Sequence, residues 1–255
     1  MLAGDYTLQN INTQSALFFI FIFVFGNCIG SFANVLIYRL PRNIGFVKSV
    51  SSCPMCSKRI MPYDLIPIWS YLVLGGKCRY CRYSIPLQYP VVESISGALA
   101  VLAVWAHGYS LLALIYFLIS VTLLSVSMID ARHMLIPNEL VAALAVFSII
   151  FVLGYGDSME INALNRITGF LVLSMPMFLL TLLIPNAFGG GDIKLIAVCG
   201  FLLGTQHIIL AGFIAIVSGA CKGIYIKYIK RDRDITHIAF GQYICAGVFI
   251  SMLLI

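Results

Sequence analysis

Eight apolar stretches, most of them close to 20 residues long, follow one another along this chain of 255 residues. A helix needs about 17–25 apolar residues to cross a bilayer, and helices satisfy their backbone polar groups without water. The composition agrees, because 61% hydrophobic and 10% charged residues contrast with roughly 45–50% and 25% in soluble domains. The sequence therefore predicts an all-α polytopic membrane protein with about eight transmembrane helices, near 16–38, 89–107, 109–129, 138–155, 163–185, 193–204, 206–229 and 237–255.

Basic residues set the expected orientation, because Lys and Arg in short loops stay on the cytoplasmic side. Half of the sixteen Lys and Arg fall between Arg39 and Arg82, and five more fall between Lys222 and Arg233. Eight spans starting from an outside N-terminus place both clusters inside and leave Arg166 on the far face. The net charge of +6 is then a topology signal, and no nucleic-acid partner is expected. The first fifteen residues contain no Lys or Arg, so we expect no cleavable signal peptide.

One sizeable polar insert interrupts the apolar pattern, and it contains two Cys-x-x-Cys pairs. Four thiolates in such pairs form tetrahedral zinc sites, although the 21 residues between these pairs slightly exceed the usual spacing of about 15–20. A metal would also supply folding energy to an insert too small to bury a core. We predict a structural zinc site; two disulfides or free thiols are the alternative, which a reducing cytoplasm disfavours. The predicted ligands are Cys53, Cys56, Cys78 and Cys81.

Two aspartates lie at the margins of apolar stretches, where a charged side chain is energetically costly and usually has a functional role. Asp130 closes its stretch at the unfavourable end of the helix dipole, and an ion pair with Arg132 is the structural alternative. Asp192 follows three glycines, which allow backbone conformations closed to other residues and the close approach of a substrate. Capping of the next helix is its structural alternative. Lys194 and Arg132 could bias the protonation of the pair or serve as topology anchors. Two such carboxylates predict shared chemistry.

These residues resemble a known family of membrane aspartic proteases. Gly189–Asp192 is similar to the Gly-x-Gly-Asp motif of that class, and Asp130 with Ile136-Pro137 is similar to the second aspartate motif of the prepilin peptidases, or type IV leader peptidases. Further segments resemble the bacterial bifunctional members of this family: Gly30–Asn34, Arg39–Pro41, Ile66–Ser70, Leu74–Lys77 and Tyr89–Glu93. The chain departs from the family at Ala239–Gln242, where Pro-Phe-Gly-Pro is typical. Losing both prolines is expected to loosen the start of the last helix.

The resemblance implies that the chain cleaves type IV prepilins and pseudopilins at the cytoplasmic face of the bacterial inner membrane. Asp130 and Asp192 would be the catalytic pair: one protonated carboxyl polarises the scissile carbonyl and the other, ionised, activates water. The resemblance also implies methyl transfer from S-adenosylmethionine to the new amine, with Gly76, Lys77 and Glu93 at the donor site. Glu93 as a charge at a helix start is the alternative. A proton-coupled transporter that relays protons through both aspartates is the alternative from another functional class.

The predicted organisation has three parts. The first transmembrane helix (1–38) is followed by the four-cysteine insert associated with methyl transfer (39–88). The remaining helices form a membrane domain (89–255) that carries the aspartic protease site.

Overall fold

The computed structural model describes residues 13–45, 51–155, 161–184, 187–230 and 239–254. Within these ranges the chain is helical, and its β-structure is limited to two isolated antiparallel bridges in the insert. Six helical stretches of the described residues are long and apolar enough to cross a membrane, so the predicted helical membrane fold is confirmed. The α-helices are α1 (Thr13–Arg39), α2 (Trp69–Val73), α3 (Gln88–His107), α4 (Leu111–His133), α5 (Asn138–Tyr155), α6 (Ala163–Val172), α7 (Ser174–Leu183), α8 (Gly190–Ile224) and α9 (Gly241–Met252).

The described residues fall into two compact units. The first unit takes them from Met1–Val35 and Val47–Leu114, and the second from Leu36–Phe46 and Ile115–Ile255. The first unit therefore combines most of α1 with the cysteine insert and α3, whereas both aspartates lie in the second. The division into 1–38, 39–88 and 89–255 is one of predicted roles and stays a prediction.

Small residues bring α1 and α3 close together in the first unit. A Cβ built on Gly26 would lie 2.7 Å from Ala100 Cβ, and one built on Gly30 would lie 2.7 Å from Ser96 Cβ. Small residues four apart let helix backbones approach each other in a membrane, where apolar burial does not drive association. The side chain of Asn34 also donates to the Tyr89 carbonyl at 3.0 Å. The end of α1 and the start of α3, between which the insert lies, are thus held together.

The core of the second unit is built around α4. In the most apolar part of α4, 61% of residues are buried, against 22–44% in the other five candidate spans. The hydroxyls of Ser120 and Ser125 donate to carbonyls four residues earlier, each at 2.8 Å, which satisfies them without a partner on another helix. The last turn of this buried helix carries Asp130.

Gly204 interrupts α8. Its backbone angles of φ 73° and ψ 178° are not helical, and glycine adopts a positive φ without steric cost. A continuous helix over the 39 residues of Gly190–Tyr228 would be about 58 Å long, roughly twice the thickness of the hydrocarbon core. The break at Gly204 resolves this mismatch by dividing the helix into two segments, 190–203 and 205–224.

The contacts with α6 show that the chain reverses direction at this break. Residues 166 and 169 of α6 contact residues 202 and 200, in descending order. Residue 165 of α6 and the following residue 173 contact residues 205 and 212, in ascending order. The two segments therefore run in opposite directions along α6. They correspond to the two helices predicted at 193–204 and 206–229.

Adjacent residues of α6 satisfy both sides of the break. The Asn165 side-chain oxygen accepts the Thr205 N–H at 2.7 Å, and the Arg166 guanidinium donates to the Leu202 carbonyl at 3.0 Å. A broken helix leaves such groups without intrahelical partners. Arg166, expected only as a residue of the far face, is buried and bonded to the backbone of the break.

Two predicted helices differ in detail. The stretch 163–185 was expected to be one helix, but α6 and α7 meet at Leu173, whose φ of −103° departs from a regular helix. Pro176 lies in the first turn of α7 and has no N–H to bond back to α6, which explains the interruption. The last helix, expected at 237–255, covers Gly241–Met252; residues 237 and 238 lie outside the described residues.

Candidate active site and metal centre

The carboxylate of Asp130 is held by the start of another helix. Oδ2 of Asp130 accepts the backbone N–H of Gln242 at 3.0 Å, and the N–H of Gly241 also faces this carboxylate. Both donors belong to the first turn of α9, where free N–H groups and the helix dipole favour a negative charge. The α9 terminus thus offsets the unfavourable position of Asp130 at the end of α4.

Asp192 lies in the first turn of α8. The N–H of Gly189 faces its carboxylate, and a Cβ built on Gly189 would lie 2.9 Å from Asp192 Oδ2. The helix begins at Gly190 with Gly189 as its N-cap, so the expectation that Asp192 is the N-cap is wrong. Its carboxylate instead reaches back toward the N-cap residue from the third helical position, as in a capping box, which accounts for one oxygen. The other oxygen, Oδ1, is buried and has no hydrogen-bond partner among the described residues. Capping therefore leaves half of this carboxylate unexplained.

The structure brings the two aspartates together. The charge of Asp130 acts on Asp192, which places the carboxylates within range of electrostatic interaction. Ile136 connects their surroundings, because a Cβ built on Gly191 would lie 2.8 Å from Ile136 Cβ and one on Gly241 would lie 2.9 Å from Ile136 Cδ1. The segments that carry the aspartates and the α9 terminus therefore meet around this side chain.

The backbone conformation of the three glycines before Asp192 differs from the one expected. Gly189, Gly190 and Gly191 all lack a positive φ, so the idea that they adopt conformations closed to other residues is wrong. Their small size is used instead, since a side chain on Gly191 would collide with Ile136. The close approach of a substrate to Asp192 stays a prediction.

The nearby cations, Lys194 and Arg132, are both exposed. Lys194 is exposed and donates to the Asn138 side-chain oxygen at 3.0 Å, at the start of α5. Arg132 is exposed, and among the described residues it forms no ion pair with Asp130. The structural ion pair considered for Asp130 is absent from this part of the chain, and its described partners are backbone groups.

The four predicted metal ligands converge in the first unit. The thiol sulfurs of Cys53, Cys56, Cys78 and Cys81 all lie within 4.8 Å of one another, and Cys53 Sγ and Cys81 Sγ are 3.8 Å apart. Zn–S bonds of about 2.3 Å in a tetrahedron place sulfurs about 3.8 Å apart, so this donor set fits zinc. All eight cysteines are free thiols, which does not match the alternative of two disulfides.

The two Cys-x-x-Cys knuckles, residues 53–57 and 78–82, repeat the same local structure. In each, the N–H four residues after the first cysteine donates to that cysteine's carbonyl, as Ser57 does to Cys53 and Arg82 to Cys78. Ser57 and Arg82 both have a positive φ, of 55° and 59°. Backbone N–H groups of Cys81 and Tyr80 lower the pKa of the Cys78 thiol to about 7. The two copies lie 25 positions apart in the sequence. The matching Cys-x-x-Cys pairs are the sequence signal that marks this repeated backbone structure.

Within the insert, an ion pair links the segment before α2 to the second knuckle. Arg79 donates twice to the carboxylate of Asp64, at 2.9 Å and 2.6 Å. The Arg79 guanidinium lowers the pKa of this carboxyl. Neither residue was singled out in the sequence, where nothing marks them as partners.

Glu93 fixes the segment that precedes α2. Its carboxylate accepts the Ile68 N–H at 2.8 Å and a hydrogen bond from the Ser31 side chain. Ile68 has a φ of 60°, a strained conformation for a β-branched residue. Glu93 is the sixth residue of α3 and lies outside its first turn, so the interpretation as a helix-start charge fails. The carboxylate instead holds a strained turn of the insert.

Gly76 and Lys77 belong to the turn that leads into the second knuckle. Gly76 has a φ of 67°, and Lys77 forms a bridge with Ser84 while its side chain is exposed. The described hydrogen bonds attach Gly76 to Tyr71 and Ile85 and attach Glu93 to Ile68. All three residues lie in the first unit, and their grouping into one donor site stays a prediction.

Taken together, the helical membrane fold and the pair of helix-terminal aspartates define the class of membrane aspartic peptidases. Comparisons with known families agree. The bacterial peptidase A24 N-terminal domain matches residues 24–107, and the type IV leader peptidase family matches residues 117–224. The chain belongs to the type IV leader peptidase family.

Relatives are similar over nearly the whole chain. The prepilin leader peptidase/N-methyltransferase of Pseudomonas aeruginosa is 30% identical over an alignment of 271 positions, gaps included. The alignment covers 96% of this chain and 93% of that protein. The protein of the same name from Bacillus subtilis is 32% identical over 233 residues, covering 91% and 92%. No solved structure matches the chain. These matches do not favour the transporter alternative.

Proposed function

We propose that this protein cleaves the leader peptides of type IV prepilins or pseudopilins, using Asp130 and Asp192, and then methylates the amine that cleavage exposes. The observation that carries the proposal is that the two carboxylates lie in the second unit within range of electrostatic interaction, each held by backbone N–H groups. Family membership supports the same activity, since relatives over nearly the whole chain carry the name prepilin leader peptidase/N-methyltransferase.

The proposed cleavage needs one proton shared by the two carboxyls. The ionised carboxylate takes a proton from the attacking water, while the protonated carboxyl donates a hydrogen bond to the scissile carbonyl. The tetrahedral intermediate then collapses, the C–N bond breaks, and the leaving amine takes up a proton. A coupled pair titrates as a unit, so the acid and base roles belong to the pair. Asp192 Oδ1, buried without a partner among the described residues, is suited to bind the water or the carbonyl.

The test of this proposal is cleavage of a defined precursor by the purified, reconstituted protein. The precursor carries a basic leader, a Gly-Phe junction and an apolar helix, and mass spectrometry measures the products. Asp130→Asn and Asp192→Asn should each remove nearly all cleavage, since each substitution keeps the shape of the side chain and removes its proton chemistry. Glu139→Gln is the matched control, because Glu139 is an exposed carboxylate outside the site. A folded Asp192→Asn protein that still cleaves would refute the mechanism.

The methyl-transfer part of the proposal assigns different roles to the residues of the first unit. S-adenosylmethionine would supply the methyl group to the amine. Lys77 is exposed and suited to bind an anionic group of the donor, beside the backbone of Gly76. Glu93, already bonded to Ile68, would position the insert. Zinc at the four cysteines would hold the two knuckles together.

The proposed location is the bacterial inner membrane, with the N-terminus outside and the aspartates facing the cytoplasm. The charge distribution supports this orientation. The reversal at Gly204 supports it too, because it returns the end of α8, with Lys222, to the side on which Asp192 begins the helix.

A further inference from the structure

An apolar face in the insert is exposed where a soluble domain would bury it. Among large side chains of the segment before and within α2, the exposed fraction is 63% for Trp69, 67% for Leu72 and 63% for Val73. These three residues are spaced i, i+3 and i+4, on one face of a helix. The polar Ser70 is buried instead, and its hydroxyl donates to the Ile66 carbonyl. The polarity of α2 is therefore inverted relative to a helix on a soluble core.

The apolar face continues before α2. Leu65 and Ile66 are 43% and 48% exposed and directly precede the strained turn at Ile68. We define the insert face as Leu65, Ile66, Trp69, Leu72 and Val73. An exposed apolar surface of this kind marks a site of contact with a membrane or a partner.

The hydrogen bond between Ile68 and Glu93 ties this face to a fixed position along α3. With 20 residues, α3 is about 30 Å long, no longer than the hydrocarbon core is thick. Glu93 is the sixth residue of α3, so it lies roughly 7 Å along the helix from Gln88. Helices that lie in the membrane interface bury their apolar face to a depth of about 5–10 Å. The Ile68 N–H, bonded to Glu93 at 2.8 Å, thus ties the insert face to a level about 7 Å along α3, which matches interfacial depth for an α3 that spans the hydrocarbon core.

The charges of the insert fit an anionic lipid surface. Residues 51–87 carry a single acidic side chain, Asp64, which is paired with Arg79. The same residues contain five basic side chains: Lys58, Arg59, Lys77, Arg79 and Arg82. Basic side chains near a membrane are attracted to anionic headgroups, and each one raises the affinity about fivefold. Trp69 adds a residue type that is enriched at membrane interfaces.

We propose that the insert face lies in the interface of the bilayer that α1 and α3 span, so that α2 is a monotopic element and its partner is lipid. This contact would keep the knuckles, with Gly76 and Lys77, at the membrane surface. A precursor whose helix remains in the bilayer presents its new amine at that surface. The proposal depends on the membrane location and is independent of the peptidase activity.

The experiment uses the two tryptophans of the chain, Trp69 and Trp105. Trp105→Phe leaves Trp69 as the only tryptophan in the full-length protein, reconstituted in nanodiscs that contain anionic lipid. Fluorescence is measured with lipids brominated near the headgroup, with lipids brominated at the chain ends, and with aqueous iodide. Shallow bromines should quench Trp69 at least twofold more than deep bromines or iodide. Trp69→Phe, which retains the exposed Trp105 of α3, is the positive control for lipid contact.

A charge on the insert face provides the second arm. In the Trp69-only protein, Leu72→Glu should reduce shallow-bromine quenching at least twofold, because a carboxylate is expelled from the interface. Ser84→Glu adds the same charge to an exposed residue outside the face and should leave quenching unchanged. Zinc content reports whether each variant retains a folded insert. Trp69 quenched by iodide and not by brominated lipid would overturn the proposal. So would a Trp69 signal that responds only to added precursor, since the face would then bind substrate.

Discussion

Gln242 offers the sharpest test of how the Asp130 carboxylate is held. A proline is typical at this position in the family that the sequence resembles, and a proline has no backbone N–H. In this chain the Gln242 N–H donates to Asp130 Oδ2 at 3.0 Å. Gln242→Pro therefore deletes one hydrogen bond to a proposed catalytic group without altering any side chain that contacts it.

The substitution is compatible with the fold. Gln242 is the second residue of α9, and proline is tolerated in the first turn of a helix. The preceding residue is Gly241, which lacks the Cβ that a proline ring would hinder. Melting temperature and size-exclusion behaviour should accordingly stay close to those of the wild type.

The expected effect follows from the strength of the lost bond. A hydrogen bond to a charged group contributes about 1.5–3 kcal/mol, so losing it should lower kcat for leader cleavage by at most about 10- to 150-fold. Because proline is typical at this position in the family, we expect a loss at the lower end of this range, about tenfold. KM should change little, because the N–H binds the carboxylate and not the precursor. Gly241, whose N–H also faces Asp130, should retain part of the positioning and keep the variant above the level of Asp130→Asn.

Gln242→Ala is the matched variant, since it retains the N–H and removes the side chain. That side chain donates to the Ala239 carbonyl at 3.3 Å, a bond that opposes the loosening expected from the missing prolines. If the backbone bond matters, the alanine variant should recover most of the wild-type kcat. Equal kcat in the proline variant and the wild type would refute the reasoning, and an equal loss in both variants would assign the effect to the side chain.

The remaining predictions concern other parts of the molecule. Gly241→Ala should reduce cleavage, because its Cβ would lie 2.9 Å from both Asp130 Oδ2 and an Ile136 carbon; normal kcat would contradict this. Cys53→Ser should lower the bound zinc, measured by elemental analysis, from about one ion per chain. In the wild type, zinc should be released as the pH falls, because protons compete with the metal for the thiolates. Lys77→Ala should spare cleavage and reduce methylation, and normal methylation would remove it from the donor site. A reporter fused after Arg82 should read cytoplasmic, and one fused near position 157 external.

The sequence predicts the helices well because apolar length is a local property. All of the predicted spans have a helical counterpart, and the predicted pair at 193–204 and 206–229 is separated by Gly204. The interruption at Leu173 could also have been anticipated, since Pro176 follows it. Local features of this kind are read directly from neighbouring residues.

The partners of the functional groups could not be predicted in the same way. The bond between Asp130 and Gln242 joins residues 112 positions apart, and that between Ile68 and Glu93 spans 25. The position of Asp130 at the end of an apolar stretch and the family resemblance of the segment that contains Glu93 identified both residues as candidates, but could not show which backbone groups bind them. The same limit applies to Arg166, whose partners on α8 exist only because the chain reverses at Gly204.

Backbone donors also explain how the membrane can accommodate two carboxylates at one site. Asp130 is held by the first turn of α9 and Asp192 by the residue before α8, while the nearby Arg132 is exposed and Lys194 is bonded to Asn138. A helix terminus carries only about half an elementary charge, so two termini offset about one negative charge. Two ionised carboxylates would exceed this compensation, whereas a pair that shares one proton would match it. The arrangement therefore favours the singly protonated state that hydrolysis by an aspartate pair requires.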